Sequence, residues 1–265
     1  MKTVILVNTL TLVDQIVYSN HIHFFCQTVK DYPKDAFVVF TPPRMSIDRA
    51  RNEAAKMALM LEADYLMFID DDVLLPITQN NHIFKSLVEA DKDIIAASVR
   101  IRGYPFNRMA FKYTDPDPTN RKRALDFYND KHDPEHPIVD VDALGFSTCL
   151  IKVDVLKPMD PPFFITSPNG TEDVYFCIRA QKELEPKPTI AVHTGISCSH
   201  LLDKEAVDDG TVERWKVFCE HDIKKDIKEL NEGRNENYIE ANLENLEKVA
   251  KEREEAKQEA VTVQE

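Results

Sequence analysis

The sequence predicts an α/β fold built on a mainly parallel sheet with helices on both faces. Two observations carry this. Short apolar runs that read as buried strands recur at residues 4–7, 37–40, 65–69 and 93–99, and segments of helical spacing separate them. Strands alternating with helices in this way imply βαβ units, and the right-handed crossover rule puts helices on both faces. A third observation points to function. The run at residues 65–69 ends in Asp70-Asp71-Asp72, which places acids where open α/β sheets bind ligands. Three adjacent carboxylates repel one another, and a bound cation is the natural compensation. A solvated acidic loop is the competing reading.

Taken in order, residues 4–7 form the first strand. Leu12, Ile16, Phe24, Phe25 and Val29 give residues 12–29 helical spacing, interrupted by His21 and His23. The strand at 37–40 stops at Thr41-Pro42-Pro43, a rigid break. Ser46 reads as an N-cap, and residues 47–61 are rich in Ala, Met, Leu and Glu, good helix formers. Residues 80–89 are helical, and 93–99 make the fourth strand. The pattern then changes to short antiparallel strands at 109–113, 124–128 and 138–141, between loops such as Asp115-Pro116-Asp117-Pro118. Gly145 permits a turn or a close backbone approach. Asn169-Gly170 reads as a turn, and Thr171 as the cap of a helix with Glu172 and Asp173 in its first turn. The helix dipole alone would favour acids there. Residues 189–193 and 196–200 are strand-like pieces around Gly195. From Val212 the chain reads as charged helix, with Ile239, Leu243, Leu246 and Ala250 forming a stripe too short for a coiled coil.

Composition bounds the function. A chain of 265 residues, 43% hydrophobic and 30% charged, is expected to be a soluble globular protein of one large domain or one domain with an appendage. No apolar run is long enough to span a bilayer or form a signal peptide. Five scattered cysteines without a Cys-x-x-Cys point to a reducing, cytoplasmic location and away from a disulfide framework or zinc knuckle. A net charge of −13 argues against a general nucleic-acid binder. Residues 220–265 hold fourteen acids and eight bases, a net of −6. Residues 100–123 run the other way, to +5, with Arg100, Arg102, Arg108, Lys112, Arg121, Lys122 and Arg123 against Asp115 and Asp117. This stretch is a candidate contact for an anionic acceptor, and an ordinary basic loop is an equal alternative.

Asp70-Asp71-Asp72, Glu172-Asp173 and His200 make a constellation. Hard oxygen ligands with one imidazole suit Mn²⁺ or Mg²⁺ and leave positions for phosphate oxygens. A carboxylate apart from the metal can serve as general base.

The order and wording of these segments resemble a GT-A fold glycosyltransferase of the large family 2 type. Arg49-Ala50-Arg51-Asn52-Glu53 leading to Asp64-Tyr65-Leu66-Met67-Phe68-Ile69-Asp70-Asp71-Asp72 resembles the family's Ala-Arg-Asn helix and Asp-x-Asp strand. Val141-Asp142-Ala143-Leu144-Gly145-Phe146 with Leu150-Ile151 is similar to its acceptor-side segment. Thr171-Glu172-Asp173 resembles the Glu-Asp helix, and Ser199-His200 the late metal histidine. The usual glycine after the Glu-Asp helix is absent; Lys182-Glu183-Leu184-Glu185-Pro186 stands there. The resemblance covers roughly residues 1–205.

What the resemblance implies is a GT-A (Rossmann-like) domain over 1–205, with a nucleotide-binding half, 1–99, and an acceptor-side half, 100–205, carrying a small antiparallel sheet. A charged helical extension, 206–265, would follow, and its apolar stripe could pack back on the body or on a second subunit. The implied activity is metal-dependent sugar transfer from a nucleotide-diphosphate sugar, a UDP-sugar by preference, to a hydroxyl acceptor. Asp72, Asp70 and His200 would hold the metal, with His193 competing for the role of His200. Asp173 would be the base and Glu172 its neighbour. Thr9, Asp48, Arg51, Asp70 and Asp71 would lie near the nucleotide. Arg51 has a plainer role available, an ion pair with Asp48 or Glu53 on its own helix. The acceptor could be a glycan, or an anionic one such as a modified base in DNA, as for some phage-type transferases of this fold. A nucleotidyltransferase or a non-catalytic nucleotide-sugar-binding module are the alternatives. The first would usually want a Gly-rich basic loop after strand one, and residues 8–12 have neither glycine nor base.

Overall fold

The computed structural model describes residues 1–8, 13–43, 45–77, 82–103, 105–115, 117, 124–130, 132–166, 170–202 and 205–207. Thr9, the turn at Asn169, the basic residues Arg121, Lys122 and Arg123, and the C-terminal helical stripe expected for oligomer formation lie outside them.

The first half contains β1 (Lys2–Asn8), α1 (Gln15–Asp31), β2 (Ala36–Phe40), α2 (Ile47–Met60), β3 (Tyr65–Asp70), β4 (Val73–Leu74), α3 (Ile83–Glu89) and β5 (Ile94–Val99). The second contains β6 (Ala110–Tyr113), β7 (Leu125–Phe127), β8 (Ile138–Asp140), β9 (Ala143–Leu144), β10 (Thr148–Lys152), α4 (Glu172–Glu183), β11 (Ile190–Leu202) and β12 (Glu205–Val207). The large sheet runs β12-β11-β5-β10-β3-β1-β2, and β4 and β8 also pair with β11. β1 is parallel to β2 and β3, and β5 is parallel to β11. Between β3 and β5 lies β10, antiparallel to both, and β4, β8 and β12 run antiparallel to β11. A second sheet, β7-β6-β9, is antiparallel.

Alternation along the strands explains the two-sided burial. Leu66 and Phe68 of β3 face one core with Ala54, Ala58 and Phe176, whereas Met67 and Ile69 face another with Phe24, Ile83 and Phe84. Both faces are therefore covered, which a parallel sheet requires. α2 buries Ala50, Ala54, Ala55 and Ala58, small residues that let its axis approach the sheet. α1 buries Val17, His21, Phe24 and Thr28, a single helical stripe, so His21 continues the pattern it was expected to interrupt. Asp14 caps α1, accepting from Ile16 N at 2.9 Å.

Three expectations needed revision. The pieces on either side of Gly195 are one strand, β11, whose pairing with β5 shifts register between His193 and Ser197. β8 joins β11 in the large sheet, and β9 completes the small one. Ser46 occupies the cap position of α2 without a side-chain hydrogen bond. No helix among the described residues is long and apolar enough to cross a membrane.

Candidate active site

β1, β3, β5 and β11 run in one direction, so their carboxyl ends share one edge of the sheet. Asn8 lies beside Asp70 there, and Val99 beside Cys198. Asp70 closes β3, Asp71 and Asp72 form the turn, and β4 folds onto β11 with Val73 opposite His200. Leu201 N donates to Asp72 O at 2.8 Å, which fixes the turn against β11.

That pairing brings His200 to Asp72. Its Nε2 lies 3.2 Å from Asp72 Oδ1 and its Nδ1 2.9 Å from the Arg100 carbonyl oxygen. A carbonyl only accepts, so Nδ1 carries a hydrogen. Nε2 then faces a carboxylate, which also only accepts. The contact is favourable when Nε2 is protonated or when a cation lies between the two groups. Burial lowers the His200 pKa, but the Asp72 hydrogen bond and charge outweigh it, and the net shift is upward. Burial raises the Asp72 carboxyl, but His200 and Arg102 prevail and hold it below the ordinary value. Arg102 NH1 reaches Asp72 Oδ2 at 3.1 Å. An imidazole held by a backbone carbonyl and aimed at a carboxylate is the usual support of a metal-ligating histidine, so Asp72 and His200 fit a divalent ion in kind. His193, the competitor, is farther back on β11, opposite Ile138, and burial lowers its pKa.

Asp70 faces elsewhere. Its Oδ1 lies 3.5 Å from Arg51 NH2, and burial, opposed mainly by Arg51, raises its pKa. Among the described residues no group of three or more His, Cys, Asp or Glu is arranged to hold a metal. The expected set of Asp70, Asp72 and His200 is thus present as one close pair plus a third carboxylate that faces Arg51. Asp71 occupies the turn between them.

Behind the turn lies a second cluster. Arg51 is 2% exposed, with its guanidinium 5.3 Å from the Phe68 ring centre and 5.5 Å from that of Phe146. NH1 donates to Glu172 Oε1 at 2.5 Å and lies 3.8 Å from Asp173 Oδ2. Neither Asp48 nor Glu53 is its partner; Glu53 pairs with Lys56. Arg51 was expected beside the nucleotide and is instead buried, where it holds three carboxylates in place. Burial, opposed by Arg51 and reinforced by Asp173, raises the Glu172 pKa. Asp173 accepts on Oδ1 from Val174 N at 2.7 Å and from the Thr171 hydroxyl, and on Oδ2 from Phe146 N at 3.2 Å. The last bond ties the acceptor-side segment to the start of α4.

Two features had no counterpart in the sequence reading. Asn52 clamps the segment before α4: Oδ1 accepts from Phe163 N at 2.7 Å and Phe164 N at 3.2 Å, while Nδ2 donates to Phe164 O at 2.7 Å and Asp48 O at 2.8 Å. Asp48 itself lies in the first turn of α2. The only sequence signal was a polar pair, Arg51-Asn52, on the alanine face of a helix. The second feature is a cleft of about 420 Å³ beside the ends of β1 and β2, lined by Val7, Tyr18, His21, Ile22, Phe25 and Val39 among others.

Among the described residues of the basic stretch, three besides Arg102 have internal partners. Arg108 NH1 donates to Ser98 Oγ at 2.5 Å, Arg100 NH1 to Phe106 O at 2.9 Å, and Lys112 lies over the Tyr128 ring.

No family model matches the chain, and no curated protein does. Solved structures do match. A197 from STIV superposes with a TM-score of 0.54 at 19% identity, covering 80% of this chain and 92% of that one. A structure of GalNAc-T7 with UDP, GalNAc and Mn²⁺ gives a TM-score of 0.50 at 10% identity, over 81% of this chain and 47% of that one. This chain has a GT-A-like fold. Asp72 after β3 pairs with His200 of β11, and Arg51 of α2 links Asp70 of β3 to Glu172 and Asp173 of α4, elements far apart in sequence.

Proposed function

We propose that this protein transfers a sugar from a nucleoside-diphosphate sugar to a hydroxyl acceptor, with a divalent cation and with inversion at the anomeric carbon. The supporting observation is that the Asp72–His200 pair follows directly on Asp70, which Arg51 links to Glu172 and Asp173, in a GT-A-like fold. Asp72 and His200 would hold the ion. A divalent cation supplies neutralisation of the departing diphosphate. The apolar cleft suits a nucleobase, with a UDP-sugar the favoured donor. Asp173 takes the proton of the acceptor hydroxyl on Oδ2, its less tightly bonded oxygen, while that hydroxyl oxygen attacks from the face opposite the diphosphate. Arg51 and Phe146 hold the carboxylate, and Glu172 orients the acceptor. The internal commitments of Arg100 and Arg108 favour a glycan acceptor over DNA.

The test follows free nucleotide from a panel of nucleotide sugars with Mn²⁺. One donor should release its nucleoside diphosphate, and Asp173→Asn should slow release by about 10²–10⁴-fold while donor binding persists. Undiminished turnover in that variant would sink the assignment of the base. Pyrophosphate as product would show nucleotidyl transfer instead.

A further inference from the structure

Arg102 is the feature this reading leaves unused. It follows β5 in a hairpin that is anchored at several points: Arg100 bridges to Arg108, Ile101 N donates to Asn107 O at 3.0 Å, and Phe106 N donates to Gly103 O at 2.8 Å. Phe106 is buried and fixes the hairpin to the body. The Arg100 carbonyl is the group that holds His200. From this hairpin the Arg102 side chain reaches out, 55% exposed, and puts NH1 3.1 Å from Asp72 Oδ2. The other Asp72 oxygen faces His200. Both oxygens of the carboxylate are therefore covered by positive or protonatable groups.

Resting on the donor-site reading above, we propose that Arg102 is an exchangeable counter-cation that closes Asp72 in the empty enzyme, gives way to the metal and then binds the donor diphosphate. An ion held by Asp72 and His200 competes with Arg102 for the same carboxylate. The displaced guanidinium stays on its hairpin beside the ion, within reach of a donor diphosphate that the ion would bind. Its planar fork matches phosphate oxygens, as an ammonium would not. An exposed pair is weak enough to exchange. Arg51, by contrast, is enclosed and cannot move to the donor.

Titration calorimetry on Arg102→Ala separates the two halves of this role. Mn²⁺ alone should bind about two- to fivefold more tightly than to wild type, because a competitor is gone. UDP or GDP, whichever wild type binds better with Mn²⁺, should bind about tenfold more weakly, because a charge-assisted contact is gone. Arg102→Lys should restore the nucleotide only in part. Mere damage to the site would weaken both ligands together, and that result, or two unchanged affinities, overturns the proposal while leaving the donor site intact. Failure of wild type to bind either nucleoside diphosphate with Mn²⁺ overturns the donor-site reading, and this role with it. Nucleotide binding that resists EDTA and disappears in Arg102→Ala would overturn the exchange by making Arg102 the permanent cation.

Discussion

Two clusters of opposite charges lie at the same end of the sheet, joined through neighbouring residues of one turn, and they differ in their surroundings. Arg51 is enclosed by two phenylalanine rings and three carboxylates. Asp72, 28% exposed, shares its oxygens with His200 and an exposed Arg102. In a low-dielectric interior an unpaired charge is costly, and such a pair holds its geometry permanently. Near solvent the same attraction is screened and exchangeable. The enclosed cluster is suited to positioning the base, and the open one to binding an ion and a diphosphate.

Each side of this contrast can be broken. Arg51→Met should cost the most, about 3–5 kcal/mol in denaturant unfolding, by leaving buried carboxylates without their cation. A loss under about 1 kcal/mol would mean that the enclosure does not matter. Asn52→Ala should cost about 1–3 kcal/mol by orphaning buried main-chain groups of Phe163 and Phe164, and a wild-type melting curve would refute the clamp. Asp72→Ala should change stability by no more than about 1 kcal/mol, yet abolish Mn²⁺-dependent donor binding in calorimetry. Unaltered donor affinity would move the ion elsewhere. The smallest effect concerns His21, which bonds the Val73 carbonyl at 2.9 Å and so braces the open turn from behind. Burial, opposed by that bond, lowers its pKa. The native state therefore prefers neutral His21, and stability falls as pH drops below the ordinary histidine value of about 6.5. His21→Gln should flatten that part of the stability–pH profile, and an unchanged slope would dismiss His21 as its source.

Much of the architecture was legible because local patterns carry it. The strands β1, β2, β3 and β5 are apolar runs bounded by breaks, and α1 and α2 show helical spacing. The acidic turn and the acids of α4 stood out as charges beside apolar elements. What escaped depended on partners remote in sequence. Arg51 on a helix with Asp48 and Glu53 reads as a surface residue until β3 and α4 close over it. Nothing local marks Asn52 as a clamp or Arg102 as a partner of Asp72. β10 is as apolar as its neighbours, and its direction is set by the chain that precedes it.

The reversed strand has a consequence for how the chain can be made. β3 and β5 are both synthesised well before β10, the strand that joins them. At about 5–20 residues per second on the ribosome, their facing edges stay unpaired for seconds. These are the edges most prone to join a wrong partner, since every side chain of β5 is destined for burial. The first hundred residues, though they carry the acidic turn, are therefore not a detachable module. A fragment ending at β5 should need the β10 segment supplied in trans before its sheet can close.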